Sequence, residues 1–125
     1  MSRQVRLRSA GRGYRVGMET SAGPTTFIAD IIDGTLVEPG RIHHAKVLSS
    51  PGVRVVVLTF EAGHILTEHI SPKVLLMQAL AGRLRVSANG VVHELSPGAL
   101  LRLDESVPHS VEALEESRLM LTMIG

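Results

Sequence analysis

The stretch RLRVSANGVVHEL, residues 83–95, decides the fold class. Two short apolar-polar alternations flank Asn89-Gly90, a dipeptide suited to the two positive-φ positions of a tight hairpin turn. A two-residue loop sets the pairing: Ala88 lies opposite Val91, Val86 opposite His93, Arg85 opposite Glu94 and Leu84 opposite Leu95. One face then carries Leu84, Val86, Ala88, Val91, His93 and Leu95. The other carries Arg83, Arg85, Ser87 and Glu94, with Arg85–Glu94 expected as a cross-strand ion pair on the wet face. Such an exposed pair contributes ~0–1 kcal/mol. The dry face needs a second layer to cover it.

The same punctuation extends outward in both directions. Upstream are RIHHAKVL (41–48), VRVVVLTF (53–60), ILTEHI (65–70) and VLLMQAL (74–80). Downstream are ALLRL (99–103), HSVEAL (109–114) and RLMLTMI (118–124). Gly, Pro, Ser and Asn break these runs at close spacing, as in a β-sandwich or barrel. Capped helical periodicity is missing. The 53–60 run is apolar on both faces, so both faces need cover. Residues 1–35 read differently. They are rich in Gly, Ser and Thr, and TFIADII (26–32) is a strand or short helix before the Asp33-Gly34 turn. The expected division is an N-terminal extension over 1–35, partly disordered or forming a subunit-crossing strand, and a barrel over 36–125.

Composition narrows the function classes. The 125 residues are 44% apolar, enough for one packed domain with a core. No apolar run approaches the ~18 residues of a membrane span, and no signal-peptide core opens the chain. The absence of Cys removes disulfides and thiolate metal sites and fits a cytoplasmic protein. The net charge is +1, with Arg3, Arg6, Arg8, Arg12 and Arg15 crowding the N-terminus. These read as a solvated tail rather than a nucleic-acid arm, because Tyr14 is the one aromatic there. With only Tyr14, Phe27 and Phe60 as aromatics, stacking platforms for sugars or single-stranded nucleic acid are missing. Neither nucleic acid nor membrane is an expected partner.

Two histidines carry the chemistry. In AGHILTEHISPKVLLMQALAGRL (62–84), Gly63 is followed after five residues by His69. In SPGALLRLDESVPHSVEAL (96–114), Gly98 precedes His109. These segments resemble the two motifs of the cupins, the conserved β-barrel superfamily, over residues 40–124. The first motif runs glycine, five residues, His-x-His, then glutamate and a closing glycine, and Gly82 stands at the closing position. The second runs glycine, five residues, Pro-x-Gly, two residues, histidine. The resemblance implies an all-β fold, a double-stranded β-helix (cupin-type jelly-roll barrel), and a homodimer. It also implies a metal held by three histidines and one glutamate. This chain departs from that ligand set: Ser71 stands for the second histidine, Leu75 for the glutamate, and Asp104-Glu105-Ser106 for Pro-x-Gly.

His69 and His109 are therefore the expected remnant of a metal site, or an acid/base pair acting on a ligand. Ser71 shares a strand face with His69 by parity, and Leu75, Met77 and Val111 are expected to line the same chamber. Met77 reads as core packing rather than a thioether ligand for copper. His64 is a weak third candidate: five residues separate it from His69, which on a regular strand places the two on opposite faces. Adjacent His43 and His44 also face opposite ways. Two imidazoles are too few for a stable catalytic centre, so any iron, manganese, zinc or nickel is expected to bind weakly. The leading reading is a stand-alone module binding a small-molecule ligand in an apolar barrel. The alternatives are a metal-dependent enzyme of the dioxygenase or isomerase kind using His69 and His109, and a structural or interaction barrel.

Overall fold

A computed structural model describes residues 24–125, together with the backbone of Arg6–Arg8 and Glu19–Ala22. Of the N-terminal arginines, Arg3, Arg12 and Arg15 lie outside the described residues, as does Tyr14. The described residues form twelve strands and no helix. The chain divides into two compact units, 1–35 and 36–125. In the first, β1 (Arg6–Arg8), β2 (Glu19–Ala22) and β3 (Thr25–Ile28) pair antiparallel in that order.

The second unit contains two antiparallel sheets. Its strands are β4 (His43–Ser50), β5 (Val53–Phe60), β6 (Ile65–His69), β7 (Val74–Ala81), β8 (Leu84–Ala88), β9 (Val91–Leu95), β10 (Leu101–Leu103), β11 (His109–Ala113) and β12 (Ser117–Ile124). One sheet has the order β10-β7-β12-β5-β4 and the other β6-β11-β8-β9. Apart from the β4–β5 and β8–β9 hairpins, successive strands alternate between the two sheets, the winding of a double-stranded β-helix.

The β8–β9 hairpin has the register expected from its turn, from Ala88 opposite Val91 to Leu84 opposite Leu95. Asn89 and Gly90 take φ of 51° and 77°, as a turn of this kind requires. The ion pairs on its wet face differ from the expectation. Glu94 bonds Arg83 at 2.9 Å, and Arg85 instead reaches Glu112 at 3.5 Å on β11. Arg83 also holds Glu115 at 3.1 Å. Arg85 has a carboxylate directly opposite on each side, Glu94 on β9 and Glu112 on β11; it takes Glu112, and Glu94 is held by its diagonal neighbour Arg83.

The core lies between the sheets. Leu58 and Phe60 of β5, Leu75, Met77 and Ala79 of β7, and Leu119 of β12 pack against Leu84, Val86 and Ala88 of β8 and Val111 and Ala113 of β11. Burying each large side chain here contributes about 1.5–3 kcal/mol. Strand β5 is buried on both sides at its C-terminal end, where Val57 and Thr59 face away from that core. Gly82, between β7 and β8, has φ of 82°. A Cβ there would overlap the Glu116 carbonyl and Ser117. Ser117 is buried, and its hydroxyl accepts from the Arg83 N–H at 3.1 Å and lies 2.7 Å from the Glu115 carbonyl. The glycine thus lets the β11–β12 turn close against the start of β8.

Candidate functional site

The site is built on the β6–β11 pair. His109 opens β11, and the alternation along that strand buries His109, Val111 and Ala113 together. His109 is paired with His69 on one side and Ala88 on the other. Cross-strand partners share a face, so His69 projects to the same side as His109. The two rings meet with centroids 4.3 Å apart and planes inclined by 59°. His109 is 2% exposed, whereas His69, at the end of the edge strand β6, is open to solvent.

Backbone carbonyls orient both rings in the same way. His109 Nδ1 lies 2.9 Å from the Val107 carbonyl, and His69 Nδ1 lies 2.8 Å from the Thr67 carbonyl. A carbonyl can only accept, so each Nδ1 carries the proton. In the neutral ring that leaves each Nε2 with its lone pair free to accept a hydrogen bond or ligate a cation. Burial holds the His109 pKa below the ordinary imidazole value, the Val107 hydrogen bond opposes this, and the nearby His69 adds to the lowering. The ring is therefore kept in its neutral, lone-pair-bearing form.

The β6 strand contains a bulge. Leu66 pairs with Val111 and His69 with His109, so three steps on β6 span two on β11. This extra residue cancels the odd offset that was expected to separate His64 from His69. His64 nevertheless does not join the pair. It sits five residues back, just before β6 begins. Its Nδ1 accepts from the Glu61 N–H at 3.1 Å, and its Nε2 lies 3.2 Å from the Glu61 carboxylate.

Ser71 departs from the expectation as well. Strand β6 ends at His69, so the two-residue parity does not carry on to Ser71. The Ser71 hydroxyl turns to the main chain of Lys73, 3.2 Å from both its N and its O. Ser71 lines a cleft that includes neither histidine. Leu75, Met77 and Val111 belong to the packed core, at 3%, 1% and 1% exposure. His93 lines a separate seam with Ala88, Leu101 and Val107, between the edge strands β9 and β10. His43 is buried and His44 is exposed, as their alternation requires. Partial desolvation of its ring, then the neighbouring His43 and Arg41, hold the His44 pKa down.

Among the described residues, no three His, Cys, Asp or Glu side chains form a group able to hold a metal ion. The histidine pair therefore does not fit the four-ligand set that the motif resemblance implies.

The comparisons agree with the barrel's winding. An RmlC-like cupin protein from Desulfovibrio desulfuricans has a TM-score of 0.65 and 27% identity over 70% of this chain and 85% of that chain. The barrel has the cupin fold. KdgF from Halomonas sp. resembles this barrel with a TM-score of 0.63 and 25% identity, covering 70% of this chain and 82% of that one. Salicylate 1,2-dioxygenase from Pseudoaminobacter salicylatoxidans shares the fold at 19% identity and a TM-score of 0.64, covering 74% of this chain and 27% of that one. Cupins similar in fold to this one thus include enzymes. No family model matches the sequence, and no curated protein does.

Proposed function

We propose that this cupin is a small-molecule-binding module whose ligand meets the His69–His109 pair at the open end of the β6–β11 strands. The observation that carries the reading is the shared orientation of the two rings, 4.3 Å apart with both Nδ1 atoms tied to backbone carbonyls. Each imidazole so oriented, in its neutral form, offers one acceptor nitrogen and no charge. Together they favour a neutral ligand with a hydroxyl or amine donor over an anion. Val111, on the same face as His109, gives an apolar floor, with Leu75 and Met77 in the opposite sheet behind it.

The test follows the ring protons of His69 and His109 by NMR, in the presence of a chelator, against a panel of small alcohols, polyols and amines. Saturable shifts at both rings that vanish in His69→Ala support the reading. Rings that stay silent to every organic ligand and respond only to added divalent metal would contradict it. That second result would favour a metal-dependent enzyme, whose missing ligands would have to come from substrate or water.

A further inference from the structure

A second site lies in the same barrel, where the β4–β5 turn, the β6–β7 loop and the end of β12 meet. Here a cleft of about 370 Å³ is lined by Ser50, Gly52, Arg54, Ser71, Lys73 and Met123, among others. That volume falls within the range of ordinary small-ligand sites.

The charges set this cleft apart. Among the described residues, Arg41, Arg83, Arg85, Arg102 and Arg118 each pair with a carboxylate. Among the same described residues, Arg54 and Lys73 have no acidic side chain within ion-pair distance, and both line this one cleft. No Asp or Glu lines it with them. Strand register explains the convergence. Arg54 pairs with Met123 on β12, and Met123 pairs with Leu75 two residues after Lys73. The Ser71 hydroxyl braces the Lys73 main chain, and the Lys73 stem runs 3.5 Å from where a Cβ on Gly125 would sit. Two like charges held in one concave site repel each other and are relieved by an anion. Half-buried Val53 and Met123 supply an apolar wall next to the charges.

We infer that this cleft binds a small organic oxyanion, with its carboxylate or phosphate between Arg54 and Lys73 and its apolar body on Val53 and Met123. The inference is independent of the histidine pair and would stand if that reading failed.

The test uses the full chain at low salt, with backbone amide shifts and calorimetry. The probes are benzoate, inorganic phosphate as the head group alone, and benzyl alcohol as the uncharged body. Benzoate is expected to bind saturably in the millimolar range, with the largest shifts at Gly52, Lys73 and Gly125. Phosphate should compete, benzyl alcohol should not bind there, and added salt should weaken binding. Arg54→Gln and Lys73→Gln each sit at the surface and should each lower benzoate affinity about tenfold. A His69→Ala/His109→Ala chain should bind benzoate as the parent does, which separates this site from the histidine site. Absence of saturable binding, benzoate shifts that map elsewhere, failure of phosphate to compete, or unchanged affinity in both glutamine variants would each overturn the inference.

Discussion

His69 and His109 stand directly opposite each other on β6 and β11, and a bulge in β6 puts them there. Without the extra residue between Leu66 and His69, strand alternation would turn one ring away from the other. The site therefore depends on an irregularity in the sheet as much as on the two side chains.

Its pH response follows from burial. The His109 pKa is held below 6.5, chiefly by desolvation. The unfolded chain therefore takes up this proton at a higher pH than the folded chain does. The resulting stabilisation is fully present above the unfolded value and is lost as pH falls from about 6.5 toward the folded pKa. An NMR titration should place the His109 midpoint below that of an unfolded reference peptide. Thermal stability should fall with acidification over the same window, and less steeply in His109→Gln. A His109 midpoint above 6.5 would reverse the sign and contradict the burial argument.

Rebuilding the ligand set by motif position should fail. Ser71→His would place its ring in the Arg54–Lys73 cleft rather than beside His69. Leu75→Glu would bury a carboxylate among Met77, Val111 and Leu119, at a cost of about 3 kcal/mol or more. Metal retention in Ser71→His should match the wild type, and Leu75→Glu should show a lowered unfolding midpoint in urea. Ala88 is the better position for a third ligand because it pairs with His109 on the same inner face. Ala88→His should raise zinc affinity above that of the wild type by calorimetry.

Gly82 is needed for shape. Its positive φ and the nearby Glu116 carbonyl and Ser117 leave no room for a Cβ. Gly82→Ala should cost about 2 kcal/mol or more, read as a lowered denaturation midpoint. Gly90→Ala, at an open hairpin tip, should cost less.

The outer face of the five-stranded sheet motivates a prediction of oligomeric state. Val55 of β5, Met120 of β12 and Leu76 of β7 face away from the barrel core and are only half-buried in the single chain. Apolar residues left half-covered on an outer sheet face favour self-association. Sedimentation at micromolar concentration should give twice the chain mass of 13.4 kDa, and Val55→Lys should shift it toward the single-chain mass. A wild-type species that runs at the single-chain mass throughout would contradict this.

The hairpin was fully legible in the sequence because Asn89-Gly90 restricts both the turn and the register. The starts of β5 and β9 were equally legible, since Gly52 and Gly90 stand just before them. Parity arguments succeeded only within regular strands. They placed His43 and His44 on opposite faces, but they misplaced Ser71, which lies past the end of β6. They also misjudged the relation of His64 to His69, because nothing in Thr67-Glu68 signals a bulge. The Arg54–Lys73 cleft was not legible in the sequence, where the two residues are far apart and only the β5–β12–β7 register brings them together.

The central claim is that His69 and His109 form a two-imidazole ligand site rather than a firm metal centre. Elemental analysis of untagged protein, purified without chelator and then dialysed, tests it most directly. The account predicts well under one equivalent of iron, manganese, zinc or nickel per chain. A full equivalent retained after dialysis would contradict it.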